Sequence, residues 1–307
     1  MTHTPSRARR AVRPVVTAAA AAAALIATVV AGPGSTASAA PAIGGGNGDN
    51  IAGILPEPEI VGLNNFACKP SESHPRPVVL VHGLGATATE NWHFFAPYLM
   101  QRGFCVFALT YGKTDHYPGR GGVKPMEQSA AELGEFVDQV RERTGAGQVD
   151  IVGHSEGGIM PRYYLKFLGG HKKVANFVGW AAPNHGTDIS GLTKLRTAFP
   201  GFDEELGNHC GSCPQFMMGS AFLQKLNSGA DETVGAVKYT VLASKYDGVV
   251  TPIETSFLKG DNVKNILIQD VNPDDKSEHI AMAFDPTTFE LTLAGLGDHA
   301  EHGHVHH

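Results

Sequence analysis

The stretch that decides the fold is Val149-Asp150-Ile151-Val152-Gly153-His154-Ser155-Glu156-Gly157. Its first four residues form a short, mostly apolar run that is typical of a buried strand, and a helical pattern begins near Gly158. The G-x-S-x-G spacing is typical of a sharp strand-to-helix turn, in which the central residue is strained and neighbours without a Cβ atom avoid clashes. The pattern therefore predicts that the Ser155 hydroxyl is exposed at the carboxyl edge of a sheet. The alternative is an ordinary turn serine.

Similar apolar runs alternate with helical patterns on both sides of this turn. We predict strands at 77–81, 105–109, 149–152, 174–180, 238–243 and 265–269. Between the second and third strands, apolar residues recur at helical spacing and mark one buried helix face: Leu133, Phe136, Val137 and Val140. This alternation is typical of an α/β domain with a mostly parallel sheet flanked by helices. Residues 188–229 interrupt it and predict an insertion between two strands.

The composition predicts one folded domain. A chain of 307 residues with 42% hydrophobic and 18% charged residues can bury a large core and is too apolar for a disordered protein. We expect the domain to span 57–290, after a flexible leader at 40–56 that contains Gly44-Gly45-Gly46 and before a His-rich tail at 291–307.

The first 39 residues predict a cleaved export signal and a secreted protein. They contain a positive start, an alanine-rich apolar run at 15–31, and small residues ending in Ala37-Ser38-Ala39. A membrane anchor is the alternative, but it needs about 20 strongly apolar residues. Arg9-Arg10 leaves the twin-arginine export route open. The positive charges in this segment are Arg7, Arg9, Arg10 and Arg13.

Removal of this segment would leave 20 basic against 30 acidic residues, a net charge of about −10. Such a surface repels nucleic acid and anionic membranes, so we expect no nucleic-acid partner. We also expect no membrane span in the mature chain, and a monomer.

A serine hydroxyl becomes an effective nucleophile when an imidazole takes its proton and a carboxylate orients that imidazole. Asp247 follows the strand predicted at 238–243 and is the expected acid; Asp231 and Asp270 are alternatives. His279 lies in a polar loop after the last predicted strand and is the expected base. Later histidines cluster at the end of the chain, where a solvated tail is expected rather than a weak metal site: His299, His302, His304, His306 and His307. We expect neither a metal nor a cofactor.

A second glycine loop follows the strand at 77–81, in His82-Gly83-Leu84-Gly85. Glycines let backbone N–H groups approach a substrate carbonyl, and we expect the amides of Leu84 and Glu156 to form an oxyanion hole. His82 is then expected to brace the loop through a hydrogen bond rather than to act as a base.

Four cysteines in an exported chain favour two disulfides. We expect Cys68 to pair with Cys105, and Cys210 with Cys213. The Cys210-Gly-Ser-Cys213 spacing also occurs in redox and metal sites, but thioredoxin-like chemistry needs it at the start of a helix after a strand. A structural link in a surface loop is the favoured interpretation.

Taken together, these motifs resemble the secreted actinobacterial triacylglycerol lipases of the α/β-hydrolase superfamily, the class 2 lipases. The matching segments run from Cys68-Lys69-Pro70 through Ala182-Pro183-Asn184-His185-Gly186-Thr187 to Glu278-His279, and the likeness extends to about Pro286. The resemblance implies the α/β-hydrolase fold with a small inserted cap or lid, hydrolysis of acyl glycerols or similar esters, and both disulfides. Glu156 departs from the glutamine or methionine frequent at its position, which would place a carboxylate beside the oxyanion hole.

The same motifs fit alternative functions. The same residues would serve a secreted carboxylesterase or a polyesterase acting on soluble or polymeric esters, and a non-catalytic binding protein could retain the scaffold. An apolar patch in the insertion could form a lid or acyl-binding wall that contacts a lipid surface, or simply the core of an inserted helix: Phe216, Met217, Met218, Phe222 and Leu223.

Overall fold

The computed structural model describes residues 59–188, 202–229 and 231–297. Six parallel strands form one sheet in this part of the chain. Their bounds are β1 Val78–Val81, β2 Val106–Leu109, β3 Val149–His154, β4 Val174–Trp180, β5 Lys238–Ala243 and β6 Val263–Leu267. The helices are α1 Ala88–Trp92, α2 Phe95–Gln101, α3 Met126–Thr144, α4 Glu156–Phe167, α5 Phe202–His209, α6 Ala221–Leu226, α7 Ile268–Val271 and α8 Pro286–Leu296. The predicted α/β architecture is confirmed.

The strand order explains where a site can form. The order is β2-β1-β3-β4-β5-β6, so the chain begins inside the sheet, runs to one edge and then crosses back to lie beside β1. Connections that leave in opposite directions open a crevice at the carboxyl ends of the strands where the order reverses. That crevice lies between β1 and β3, the strands that precede the two glycine loops.

All six predicted strands exist, but one lies two residues earlier than expected. The prediction of 265–269 is wrong because β6 runs from Val263 to Leu267 and the next residues form α7. The shift has a physical reason: β6 is an edge strand held by its backbone register, in which Tyr239 pairs with Val263 and Ala243 with Leu267. Lys264 and Asn265 are exposed, as an edge strand allows, so an apolar pattern in the sequence does not indicate that they belong to the strand.

Hydrophobic clusters cover both faces of the sheet. One packs α3 and α4 against the sheet and contains the predicted helix face, with Leu133, Val137 and Val140 fully buried. The other packs α1, α2 and α8 around Trp92 and Trp180. Because the strands are buried on both faces, β1 and β3 consist almost entirely of buried residues.

The last described helix crosses the predicted end of the domain. Helix α8 is capped by Asp285 and continues to Leu296, with Leu293 and Leu296 buried. Thr292 accepts a hydrogen bond from the Trp180 indole at 2.8 Å. The helix thus continues six residues past the boundary expected at 290, and its second half packs against one face of the sheet. The expected export signal, the leader and the histidines of the tail lie outside the described residues.

The predicted insertion lies between β4 and β5 and contains α5, a 3₁₀ turn at Cys213–Phe216 and α6. Within its apolar patch, Met218 is 36% exposed. The other four residues are buried, as expected for the core of an inserted helix: Phe216, Met217, Phe222 and Leu223.

The structure contains the two expected disulfides, Cys68–Cys105 and Cys210–Cys213.

Candidate active site

Ser155 occupies the strained turn that its sequence predicts. It lies between β3 and α4 with φ 56° and ψ −115°, a conformation rarely adopted by residues with a side chain. The flanking glycines make the turn possible. A Cβ atom on Gly153 would lie 1.6 Å from the carbonyl oxygen of Gly157, and one on Gly157 would lie 1.9 Å from that of Val81. The turn therefore excludes larger residues on both sides and holds Ser155 in place.

The structure brings Ser155, His279 and Asp247 together. His279 Nε2 lies 2.9 Å from Ser155 Oγ, and His279 Nδ1 lies 2.8 Å from Asp247 Oδ2. These residues are separated by up to 124 positions in sequence, and His279 is 5% exposed. The arrangement can pass a proton from the hydroxyl to an oriented imidazole, which is the geometry of a nucleophile with its base and acid.

Asp247 is held as a carboxylate. Burial opposes its ionisation, but the hydrogen bond from His279 and those from the N–H groups of Val249 and Val250 outweigh burial, so the pKa of Asp247 lies below its ordinary value. The alternative acids are elsewhere: Asp231 and Asp270 are exposed, and within the described ranges neither contacts His279.

The two expected oxyanion donors lie at the ends of neighbouring strands. Leu84 follows β1, and Gly83 approaches Ser155 so closely that a Cβ atom there would lie 3.1 Å from Ser155 Cβ. Glu156 is the first residue of α4, so its N–H group has no intrahelical partner. Gly83, which precedes Leu84, and Glu156 thus both lie next to Ser155, as donors to a developing negative charge require.

His82 has the bracing position expected of it. It is fully buried, its Nδ1 donates to the carbonyl oxygen of Gly83 at 2.7 Å, and its ring stacks on Tyr111 at 4.3 Å. Burial lowers the pKa of His82 to about 4, so the ring is neutral near pH 7.

Two residues that surround the site, His154 and Asn91, have roles that the sequence did not predict. His154 Nε2 donates to the backbone carbonyl of His279 at 2.9 Å. Asn91 Oδ1 accepts the N–H of Gly83 at 3.1 Å and lies 3.1 Å from His154 Nδ1. His154 thus connects the serine turn to the loop of His279, and Asn91 supports the loop after β1. The position of His154 inside the G-x-S-x-G motif was the available signal; no local pattern identifies Asn91.

Glu156 does not present a carboxylate to the surface beside Ser155. Its side chain is 0% exposed and turns inward, towards Tyr111 and Ser212. Burial raises the pKa of Glu156 well above its ordinary value, and the nearby Tyr111 and Ser212 hydroxyl groups offset only part of that rise. Because burial opposes ionisation, this site favours the neutral carboxylic acid over the carboxylate. The carboxyl group therefore faces the protein interior, where it packs near the backbone of the loop that carries Leu84.

In residues 59–188, 202–229 and 231–297, no group of three or more His, Cys, Asp or Glu side chains could hold a metal ion. No helix within the same ranges is long and apolar enough to cross a membrane.

The chain resembles a known protein family and individual lipases over part of their length. The family described as Lipase (class 2) matches residues 75–290, more than two thirds of the chain. A triacylglycerol lipase of Pseudarthrobacter phenanthrenivorans is 32% identical over 126 residues, covering 38% of this chain and 36% of the relative. One of Pseudomonas fragi is 28% identical over 124 residues, covering 40% and 39%. The chain thus spans less than half the length of these relatives.

Solved structures show the same fold. Lipase B of Aspergillus fumigatus superposes with a TM-score of 0.56 at 17% identity, covering 76% of this chain and 54% of that one. The mature form of the Bacillus licheniformis lipase BlEst2 gives 0.54 at 17% identity, covering 74% and 94%. The parallel sheet with its strained serine turn and the extent of the family match lead to one conclusion. This chain belongs to the class 2 lipase family and has the α/β-hydrolase fold.

Proposed function

We propose that this protein is a secreted serine hydrolase that cleaves carboxylic esters, with acyl glycerols as its substrates. The observation that carries the proposal is the position of His279, within hydrogen-bond distance of both Ser155 Oγ and Asp247 Oδ2. A decayed, non-catalytic scaffold would have no reason to retain this buried chain of contacts.

The proposed reaction is an acyl transfer in two steps. Ser155 Oγ attacks the ester carbonyl while His279 Nε2 takes the hydroxyl proton, and the amides of Leu84 and Glu156 donate to the oxyanion of the tetrahedral intermediate. Collapse of this intermediate releases the alcohol, which receives the proton from His279. A water molecule then attacks the acyl-enzyme with the same histidine as base, and the acid leaves.

Exposed aromatic rings near the proposed site support an apolar substrate. Tyr246, next to Asp247, is 39% exposed, and Phe284, five residues after His279, is 48% exposed. Phe284 packs edge-on against Phe94, which is 54% exposed, at a centroid distance of 5.3 Å. Large apolar side chains exposed together commonly mark contact surfaces, here for an acyl chain or a lipid interface.

Secretion is supported by the first 39 residues and by both disulfides, since such bonds persist in oxidising compartments.

The test is a series of esters from short acyl chains to emulsified long-chain triacylglycerols, hydrolysed by the mature protein and by Ser155→Ala. Ser73→Ala, at an exposed serine, is the matched control. We expect hydrolysis of the emulsions by the wild type and the control, with a loss of at least about 10⁴-fold in Ser155→Ala. Activity on short or polymeric esters alone would favour a carboxylesterase or polyesterase. Full activity of Ser155→Ala would refute the nucleophile.

A further inference from the structure

The disulfide loop Cys210–Cys213 lies against the backbone that supports the oxyanion loop. Ser212, inside this loop, is 0% exposed, and its Oγ donates to the carbonyl oxygen of Gly122 at 2.7 Å. The N–H of Gly211 donates to the carbonyl oxygen of Val123 at 2.8 Å. A loop closed by a disulfide over a sequence separation of 3 thus forms two hydrogen bonds to one short segment.

That segment in turn pairs with the loop that carries Leu84. The N–H of Gly85 donates to the carbonyl oxygen of Gly121 at 2.9 Å, and the N–H of Gly121 donates to that of Ala86 at 3.1 Å. These reciprocal bonds fix the residues that follow Leu84. Hydrogen bonds therefore connect Ser212 to the proposed oxyanion donor through two stretches of backbone.

The side chain of Glu156 also packs against the segment that supports the Leu84 loop. A Cβ atom on Gly122 would lie 2.9 Å from Glu156 Oε2 and 3.1 Å from Leu84 Cα. The carboxyl group and the Leu84 backbone thus pack against the same glycine. Glu156 would then serve both donors: its own amide directly, and that of Leu84 through this contact.

We propose that Ser212, held in place by the Cys210–Cys213 disulfide, and the buried side chain of Glu156 are positioning residues for the oxyanion hole. This inference rests on the proposed function. Loss of the Ser212 hydroxyl leaves the Gly122 carbonyl without this bond and lets the Gly121–Gly122 backbone and the Leu84 amide move. Small displacements of a donor lower the rate of the chemical step much more than they lower substrate binding.

The test compares Ser212→Ala with Ser220→Ala. Ser220 is also a buried serine of the insertion, and its hydroxyl donates to the carbonyl oxygen of Gln215 at 2.8 Å, away from Gly122. We expect Ser212→Ala to lower kcat by about tenfold to hundredfold with KM changed less than threefold. Affinity for a trifluoromethyl ketone, to which Ser155 adds to form an oxyanion, should fall in parallel. Ser220→Ala should leave kcat and this affinity unchanged.

A second pair of variants keeps the inference testable if Ser212→Ala does not fold. Glu156→Asp retains the acid and the backbone amide but withdraws the carboxyl group from Gly122, whereas Glu156→Gln retains length and neutrality. We expect kcat of the Gln variant to exceed that of the Asp variant at least tenfold. Equal kcat values in the two Glu156 variants, or in Ser212→Ala and the wild type, would overturn the inference. The proposed function would still hold in that case if the wild type hydrolysed esters. A wild type that hydrolyses no ester would overturn both.

Discussion

His154 Nε2 lies 2.9 Å from the backbone carbonyl oxygen of His279, so the residue before the proposed nucleophile holds the chain of the proposed base. A carbonyl oxygen can only accept, so Nε2 carries the proton of this ring. Burial, assisted by the nearby His279, lowers the pKa of His154 to about 3, and the ring is neutral near pH 7. The contact links the two loops that must remain aligned during proton transfer.

Replacing His154 by Phe should lower kcat by about tenfold or more, because the ring volume remains while the bond to His279 is lost and the base can shift. The measurement is kcat and KM on a soluble ester. His74→Phe is the control, since His74 stacks on Phe104 at 3.8 Å and the same substitution there keeps an aromatic contact. Equal kcat in the two variants would show that the contact does not position His279.

Asp247→Asn should lower kcat by about 10⁴-fold, because an amide at this position favours the wrong tautomer of His279. Asp231→Asn and Asp270→Asn, at the exposed alternative acids, should retain full activity. The three variants can be compared in one ester assay. A loss confined to an alternative acid would identify a different partner for the imidazole.

Glu156→Gln should make the protein less sensitive to alkaline pH. The folded protein holds the Glu156 proton well above the ordinary pKa of 4.5, whereas the unfolded chain releases it near that value. Rising pH above about 4.5 therefore destabilises the wild type, by up to about 1.4 kcal/mol per pH unit, until the folded-state pKa is passed. Thermal unfolding from pH 4 to 9 measures this: the two Tm values should converge at pH 4, and the variant should be higher at pH 8. Parallel curves would mean that Glu156 is ionised in the folded protein.

Gly157→Ala should destabilise the protein by about 3 kcal/mol or more, because its methyl group would overlap the Val81 carbonyl in a core that cannot yield. Gly147→Ala is the control: a Cβ atom there meets no atom within 4 Å. Denaturant unfolding measures the free energy of unfolding of both variants. A Gly157→Ala protein as stable as the control would contradict the steric account of the turn.

We expect one disulfide to contribute more to the free energy of unfolding and the other to contribute more to kcat. Chain-entropy arguments give about 4 kcal/mol for a loop of sequence separation 37 and about 1.5 kcal/mol for one of 3. Replacing both cysteines of Cys68–Cys105 by Ala should therefore lower the free energy of unfolding more. Replacing those of Cys210–Cys213 should lower kcat more, since that loop carries Ser212. Denaturant unfolding and kcat measurements on both double variants test whether the larger loss of stability and the larger loss of kcat fall on different disulfides.

Local sequence was sufficient for much of the fold and for the strained turn at Ser155. The strands carry their own apolar patterns, and the turn at Ser155 follows from glycines whose absence of a Cβ atom is a local steric requirement. Edge strand β6 and helix α8 were placed less well, because backbone pairing in β6 and burial of α8 against the sheet depend on neighbours distant in sequence. Asp247 and His279 were predicted from their position after strands.

The sequence by itself determined the α/β architecture and the candidates for the site, because each depends on short-range patterns or on chain order. Only the tertiary structure decided that Glu156 turns inward, where burial raises its pKa, and that Ser212 bonds to Gly122. It also decided that His154 bonds to the backbone of His279 and that Asn91 bonds to that of Gly83. These contacts link segments up to 125 residues apart, and the burial that raises the pKa of a carboxyl group arises only when those segments pack together.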